Sequence, residues 1–351
     1  VQEAIQMTKK PVKTHRMKLS VPYNNDLSLM KWAIATGGIY EVYFAGPQDD
    51  DHSNQYLNTR KASCDEIREL AAFCHRHKVK RNLLLNKRIN FFDDLKRIGR
   101  YVKTLEDSGG ITSITLADPC IVPFLRKMFP KVALQSSVYM NIDSECKVKE
   151  AVKMGMTEFT LDVSCNRNAR ALDAVREARK HLPDITIKLL ANHGCYLHCF
   201  YGGRHAEWPV LMDAAKAFLR EETGRYVGFM LKDGCQFVTR EPADEIRRPY
   251  LRPEDLTYIE EQGWADGIKI AYRKDDSRLL KQKISAYLAR SFQGDLFMLA
   301  PSNKGPLPFT CNNKAFPKDF IERVAHCGQR CAHCRYCASV ARAAITPKAT
   351  P

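Results

Sequence analysis

Ile111-Thr-Ser-Ile-Thr-Leu-Ala117 is a short apolar run set between stretches of a different period. Before it, Leu95, Ile98, Val102 and Leu105 recur at helical spacing, and after it comes a second strand-like run, Val132–Ser136. The same alternation holds to either side. Lys18–Val21, Tyr40–Ala45, Asn82–Leu85, Phe159–Val163, Ile185–Ala191 and Gly267–Ala271 read as strands. Ile67, Leu70, Ala71 and Cys74 make one further helix face, and Leu172, Val175 and Ala178 another. Asp26, Ser63, Asp93 and Asp143 each stand just before a helical pattern, where an oxygen-bearing side chain can cap free backbone N–H groups. Eight strands alternating with helices predict an α/β fold, a TIM-like (β/α)8 barrel over residues 18–300. A doubly wound sheet is the other arrangement compatible with that order.

The polar residues at the predicted strand ends are then a candidate site, because barrel enzymes work at the C-terminal face. They are Tyr23 and Asn24, Asn86, Asp118, Ser136 and Ser137, Asp162, Asn192, and Lys269 with Arg273. Beyond residue 300, Pro301, Gly305, Pro306, Pro308 and Pro317 break regular structure, and a short helix, Phe320–Val324, leads into Cys327. Residues 301–351 read as an appended cysteine-rich segment, and residues 1–17 as a basic N-terminal stretch.

Composition bounds the function. With 44% hydrophobic and 27% charged residues, the chain has material for a large core and is not a disordered tail. It lacks a run of 18 apolar residues, so no membrane span is expected. Val1–Met17 has Lys9, Lys10, Lys13 and Arg16 but no apolar centre, so it does not read as a secretory signal, and the cytoplasm is the expected location. Thirteen cysteines in that setting point to reduced thiols that bind a metal or cluster. Net charge is +15, and Arg76–Lys103 carries ten Lys/Arg against Asp93 and Asp94. That stretch is either a docking surface for an anionic partner such as RNA or a solvated helix face. The motifs of zinc proteases, serine hydrolases, dinucleotide sites and P-loops are absent from the sequence.

Two cysteine groups carry the chemistry. Cys327-Gly-Gln-Arg-Cys331-Ala-His-Cys334-Arg-Tyr-Cys337 offers four thiols at gaps that let them converge on one metal, and the spacing suits zinc or iron–sulfur equally. Cys195-Tyr-Leu-His-Cys199 directly follows the strand Ile185–Ala191, with Cys235 further on. Three thiols are one short of a cluster shell. The fourth ligand could be Cys165, Cys120, Cys311, His193 or His205, or the position could stay open for substrate. Cys64, Cys74 and Cys146 lie in helical patterns and are expected to pack.

The order of motifs resembles peptidase family U32, the collagenase-like proteases. It runs through Asn192-His-Gly-Cys195-Tyr-Leu-His-Cys199, Arg204-His205, Cys235, Leu251-Arg-Pro-Glu-Asp-Leu256 and Gly267-Ile-Lys-Ile-Ala-Tyr-Arg273. Tyr40-Glu-Val-Tyr43, Asn82-Leu-Leu-Leu-Asn86, Thr115-Leu-Ala-Asp-Pro119 and Asn166-Arg-Asn168 look similar as well, so the resemblance covers about residues 17–300. It implies a barrel holding a 4Fe–4S cluster, on Cys195, Cys199 and Cys235 here, and a role in oxygen-independent hydroxylation of ubiquinone precursors or RNA bases, with prephenate as oxygen source. Lys269 and Arg273 would bind the anionic co-substrate, and Asn192 would stand with them in the catalytic set. A tail cluster would make two, with zinc the alternative there, and a protein partner is compatible. The segment Lys269-Ile-Ala-Tyr-Arg273 departs from the family's Lys-Ile-Glu-Gly-Arg by losing the carboxylate. The other readings are a peptidase, as the family name says, and a zinc-stabilised RNA-binding module.

Overall fold

The computed structural model describes residues 16–46, 62–86, 92–197, 199, 241–302 and 307–348. Eight strands close a barrel in chain order: β1 (Lys18–Pro22), β2 (Ile39–Phe44), β3 (Lys80–Leu85), β4 (Ser113–Leu116), β5 (Ala133–Ser136), β6 (Glu158–Thr160), β7 (Thr186–Leu190) and β8 (Gly267–Lys269). Every pairing is parallel, and β8 completes the ring by setting Ile268 beside Leu19 of β1. Each strand lies where the apolar runs predict it. The fold is the TIM-like barrel, and the doubly wound alternative falls.

Local chemistry starts and stops the helices. α1 (Leu27–Thr36) begins at Asp26, whose carboxylate accepts the Leu29 N–H at 2.9 Å. It ends at Gly37, whose φ of 83° favours a residue without Cβ. α2 (Cys64–Arg76) opens with a reciprocal cap: Ser63 Oγ accepts from the Glu66 N–H, and Glu66 Oε2 from the Ser63 N–H. Its expected face of Ile67, Leu70, Ala71 and Cys74 is buried. α3 (Phe92–Asp107) starts one residue before Asp93, which therefore lies inside the first turn and not ahead of it. α4 (Val122–Met128) follows β4. α5 (Glu145–Lys153) is preceded by Ser144, while Asp143 pairs with Lys147 at 2.9 Å instead of capping. α6 (Ala169–Arg179) is capped by Asn168 and buries Leu172, Val175 and Ala178. Of the cysteines expected to pack, Cys74 is buried, but Cys64 and Cys146 are exposed because they fall on outward turns of α2 and α5.

Between β7 and β8 stand α7 (Pro242–Arg247) and α8 (Asp255–Glu261), and after β8 come α9 (Ser277–Ala289) and α10 (Leu296–Leu299). The C-terminal segment folds as an antiparallel pair, β9 (Phe309–Cys311) with β10 (Ile345–Pro347), around α11 (Phe320–Ala325) and α12 (Tyr336–Ala344). Phe316, Phe320, Val324, Val340 and Ala344 enter the same hydrophobic core as the barrel. Two guanidiniums tie that segment down. Arg167 lies 4.4 Å from the Tyr250 ring and 4.9 Å from that of Phe320. Arg252, paired with Asp255 at 2.6 Å, lies 4.6 Å from Phe316. No described helix is long and apolar enough to cross a membrane.

Successive strand residues point to opposite faces. One set, including Leu19, Val42, Leu83, Ile114, Leu134, Phe159, Ile187 and Ile268, is apolar and buried beneath the helices. The other set holds Ser20, Glu41, Asn82, Thr115, Gln135, Glu158, Lys188 and Lys269, also buried. Side chains of this set from non-adjacent strands hydrogen-bond to one another, Gln135 and Lys188 to Glu41 and Lys188 to Gln135, which they can do only across the bore. Barrel interiors are usually filled by Val, Ile and Leu. This one is polar.

Candidate active site at the barrel mouth

Glu41 stands at the centre of the bore. Its Oε1 accepts from Ser20 Oγ at 2.5 Å and from Lys188 Nζ at 3.1 Å. Its Oε2 accepts from Asn82 Nδ2 at 3.1 Å, Gln135 Nε2 at 2.5 Å and Lys188 Nζ at 3.2 Å. The donors come from β1, β3, β5 and β7, so one carboxylate braces the barrel from four sides. Lys188 also donates to the Gln135 side-chain oxygen and lies 3.5 Å from Glu158 Oε2. Burial alone would push the Glu41 carboxyl up. Lys188, Lys269 and the hydrogen bonds from Ser20 and Gln135 outweigh it and hold the group well below the usual carboxylate range. A charge this deep is tolerable only when paired and saturated with donors. Towards the N-terminal ends of the strands, Glu158 Oε1 accepts from Lys80 at 2.6 Å.

Lys269 is the last residue of β8, two positions beyond Gly267, which pairs with Lys188. It therefore lies one layer closer to the mouth. Its Nζ is 4.3 Å from the centre of the Tyr43 ring, and the Tyr43 hydroxyl donates to the Ile270 carbonyl at 2.5 Å. Burial lowers the Lys269 pKa, Lys188 lowers it further, Glu41 opposes and Arg273 adds to the fall; the result is about 7. The chain turns just past β8 through Tyr272, at a φ of 72° that an aromatic residue adopts only under local constraint. Burial raises the Tyr139 hydroxyl pKa, with Arg273 pulling it down and Cys195 pushing it up, so these three groups share one neighbourhood. Burial also raises Tyr272, and Cys195 acts on it in the same direction.

Asn192 is buried between the two turns at the mouth. Its Nδ2 donates to the Leu299 carbonyl at 3.1 Å, and its Oδ1 accepts from the Ala271 N–H at 2.6 Å. It pins the turn after β8 to the turn after β7, a positioning arrangement. Among the other expected strand-end residues, Asp118, Ser137 and Asp162 accept the N–H groups of Cys120, Tyr139 and Ser164, and so shape the turns that rim the bore.

Cys195 and Cys199 are half-buried on the segment leaving β7, and Cys235 lies outside the described residues. Cys195 and Arg273 both bear on Tyr139, and cysteine thiols are soft donors of the kind that suit iron or zinc. The His193 ring accepts the Cys195 backbone N–H through Nδ1 at 3.2 Å. Of the remaining candidate ligands, burial pushes both Cys165 and Cys311 up to about 12, while Cys120 is exposed. His205 lies outside the described residues.

In the C-terminal segment, Cys327, Cys331 and Cys334 are exposed and Cys337 is half-buried. Burial raises Cys337, Arg167 and Arg247 lower it, and Cys331 and Cys327 act on it as well. Among the described residues, no group of three or more His, Cys, Asp or Glu side chains is gathered as a metal site. The basic stretch divides: Arg81 is buried and Lys80 is paired, whereas Arg76, Lys78, Lys96, Arg97, Arg100 and Lys103 face solvent.

The charged layer of the bore is what sequence reading missed. Its signal was a lone Glu and a lone Lys inside the otherwise apolar runs Tyr40–Ala45 and Ile185–Ala191.

Comparison with curated proteins gives no match. Among solved structures, the chain is similar to the U32 peptidase Mk0906 at 10% identity, covering 76% of this chain and 97% of that one, with a TM-score of 0.47. It is similar to a glycerophosphodiester phosphodiesterase from Parabacteroides distasonis at 12% identity, covering 50% and 85%, with a TM-score of 0.35. It is similar as well to phosphoribosylanthranilate isomerase from Thermotoga maritima at 9% identity, covering 78% and 98%, with a TM-score of 0.35. The sequence profile of peptidase family U32 matches residues 26–173, from the cap of α1 into α6. Over those residues the chain is similar to peptidase family U32.

Proposed function

We propose that this protein is an iron–sulfur enzyme, an oxygen-independent hydroxylase or related oxygen-transfer catalyst, acting on an aromatic small molecule or on RNA bases. One observation carries the reading: a thiol, Cys195, and the Arg273 guanidinium bear on the same tyrosine at one barrel mouth. Cys195 stands after β7, Arg273 stands after β8, and both bear on Tyr139, with Lys269 beneath. A 4Fe–4S cluster on Cys195, Cys199 and Cys235 would supply one-electron chemistry there. Arg273 would hold the carboxylate of an anionic co-substrate through paired N–H donors. Tyr139 and Tyr272, kept neutral by burial, offer hydroxyl donors and apolar ring faces that exclude water from the substrate. Asn192 keeps the two loops in register.

The peptidase reading rests on the family name. It would need Cys195 or a water activated by a base, and Nδ1 of the neighbouring His193 is engaged by main chain instead. Reconstitution with iron and sulfide under anaerobic conditions tests the proposal. Thiolate-to-iron absorption should develop in the wild type and be lost in Cys199→Ala, with the far-ultraviolet circular dichroism of the two proteins unchanged. A wild-type protein that stays colourless overturns it.

A further inference from the structure

The loop between α11 and α12 has no apolar anchor. From His326 to Arg335 no residue is buried, although both flanking helices enter the core. Cys327, Cys331 and Cys334 lie on that loop, and Cys337 follows in the first turn of α12, which packs on α7. The backbone turns through Gln329 at a φ of 54°, and the Arg330 carbonyl then accepts the N–H groups of His333 and Cys334 at 3.1 and 3.2 Å. Beyond Glu322 the sequence has no further Asp or Glu, so the side-chain donors left for a metal are thiols and imidazoles. The His326 ring is already engaged with the Tyr258 hydroxyl at 3.2 Å.

The barrel meets this segment with unmatched positive charge. Arg167 keeps only 5% of its surface exposed. Its Nη1 donates to the Ile246 carbonyl at 2.7 Å, while Nε and Nη2 are buried without a hydrogen-bond partner. Phe320, 4.9 Å from that guanidinium, stacks on Tyr336, the residue before Cys337. Cys337 lies within electrostatic reach of Arg167, Arg247, Cys331 and Cys327, and Arg247 within reach of both Cys331 and Cys337. Buried donors without an acceptor are rare and costly, and a negatively charged centre at Cys337 is what these would serve.

We infer that Cys327, Cys331, Cys334 and Cys337 bind one zinc ion in a closed four-thiolate shell seated on Arg167 and Arg247, a structural centre that fastens the tail to the barrel. The inference stands apart from the mouth and its cluster. The thiols are not gathered in the structure, but bringing them together breaks no core contact, because the loop that carries three of them buries nothing. Zinc replaces four thiol protons, which pass to solvent, and nothing is oxidised or reduced. The centre then carries two negative charges, offset by the two barrel guanidiniums. The C-x3-C and C-x2-C spacings fall within those of structural zinc sites, and a shell that faces water with no position left open suits an ion without redox chemistry.

The test begins with zinc content of the full-length protein purified without added metal. The wild type should retain zinc through gel filtration, Cys195→Ala/Cys199→Ala should keep the tail's share, and Cys331→Ser/Cys334→Ser should lose it. Cobalt(II) in place of zinc should give the intense visible bands of a tetrahedral thiolate site, absent from the Cys331→Ser/Cys334→Ser variant. Arg167→Met should weaken cobalt binding by roughly tenfold, the scale of a lost charge-assisted interaction, and Arg247→Gln tests the same seat from a partly exposed position should Arg167→Met fail to fold. Trypsin should cut after Arg330 and Arg335 only once a chelator has removed the metal. Zinc retained in Cys331→Ser/Cys334→Ser, no cobalt spectrum in the wild type, or iron and sulfide lost with these thiols in place of zinc overturns the inference. Cobalt affinity unchanged in both arginine variants overturns the seat on the barrel.

Discussion

Glu41→Gln removes a charge from the bore while changing almost no volume, so its effect isolates the electrostatics that hold the barrel. Lys188 would lose an anion at 3.1 and 3.2 Å and keep only Glu158 Oε2 at 3.5 Å and the Gln135 oxygen. Removing one partner of a buried pair costs about 3–5 kcal/mol, and the surviving Glu158 contact puts this case near 3 kcal/mol. The new amide must also point its N–H groups at Ser20 Oγ or at the Asn82 and Gln135 donors; the second choice leaves buried donors facing donors, at about 1–3 kcal/mol. The expected loss is therefore about 3–4 kcal/mol, a large share of the roughly 5–15 kcal/mol that holds a typical domain. Guanidinium titration followed by circular dichroism should show an earlier midpoint. The loss also carries a pH signature. Glu41 is depressed in the fold, so its stabilisation is complete above the ordinary carboxylate pKa and disappears as pH falls through its own lower value. The gap between wild type and variant must close in acid. A variant within about 1 kcal/mol of wild type at pH 7, or a gap unchanged towards pH 2, refutes the reasoning.

Lys269→Met should act in the opposite direction. The unfolded chain holds that lysine's proton up to about 10.5 and the fold releases it near 7, so wild-type stability rises over that window and the variant gains on the order of 2–4 kcal/mol at pH 7, shrinking towards pH 10.5; a pH-independent difference refutes this. Asn192→Ala breaks the bonds to Leu299 and Ala271 and should cost about 1–3 kcal/mol, with hydrogen exchange rising at the Ala271 amide; unchanged protection there refutes the bracing role. Cys334→Ala should make residues 326–337 protease-sensitive and lower bound metal without releasing α11 from the core; unchanged metal content removes the tail site. If RNA binds the exposed cations around Arg76 and Arg100, log affinity should fall with log salt by about 0.7 per contact on single strands, and a flat dependence excludes it.

All eight strands were legible because each is an apolar run bounded by a cap or turn residue, and a fully buried strand shows that run whichever face points inward. What the runs hide is the identity of the inner face. Glu41 and Lys188 read as interruptions until the closed ring brings β2, β5 and β7 together across the bore. Caps were legible where the side chain itself accepts the N–H, as at Asp26 and Ser63, and misplaced by a residue at Asp143, whose carboxylate finds Lys147 instead. The mouth residues Cys195, Lys269 and Arg273 were visible from their place after strands. The bonds that make Asn192 a brace depend on Leu299 and Ala271, too far along the chain for any local pattern to show.

The central claim is that the mouth thiols hold an iron–sulfur cluster, and the direct measurement is iron and acid-labile sulfide per chain in protein purified without oxygen. The cluster reading predicts iron and sulfide in equal amounts in the wild type, and loss of the mouth's share in Cys195→Ala and Cys199→Ala while the barrel stays folded. Protein without iron or sulfide, or with zinc alone, or with iron unchanged in both variants, contradicts it.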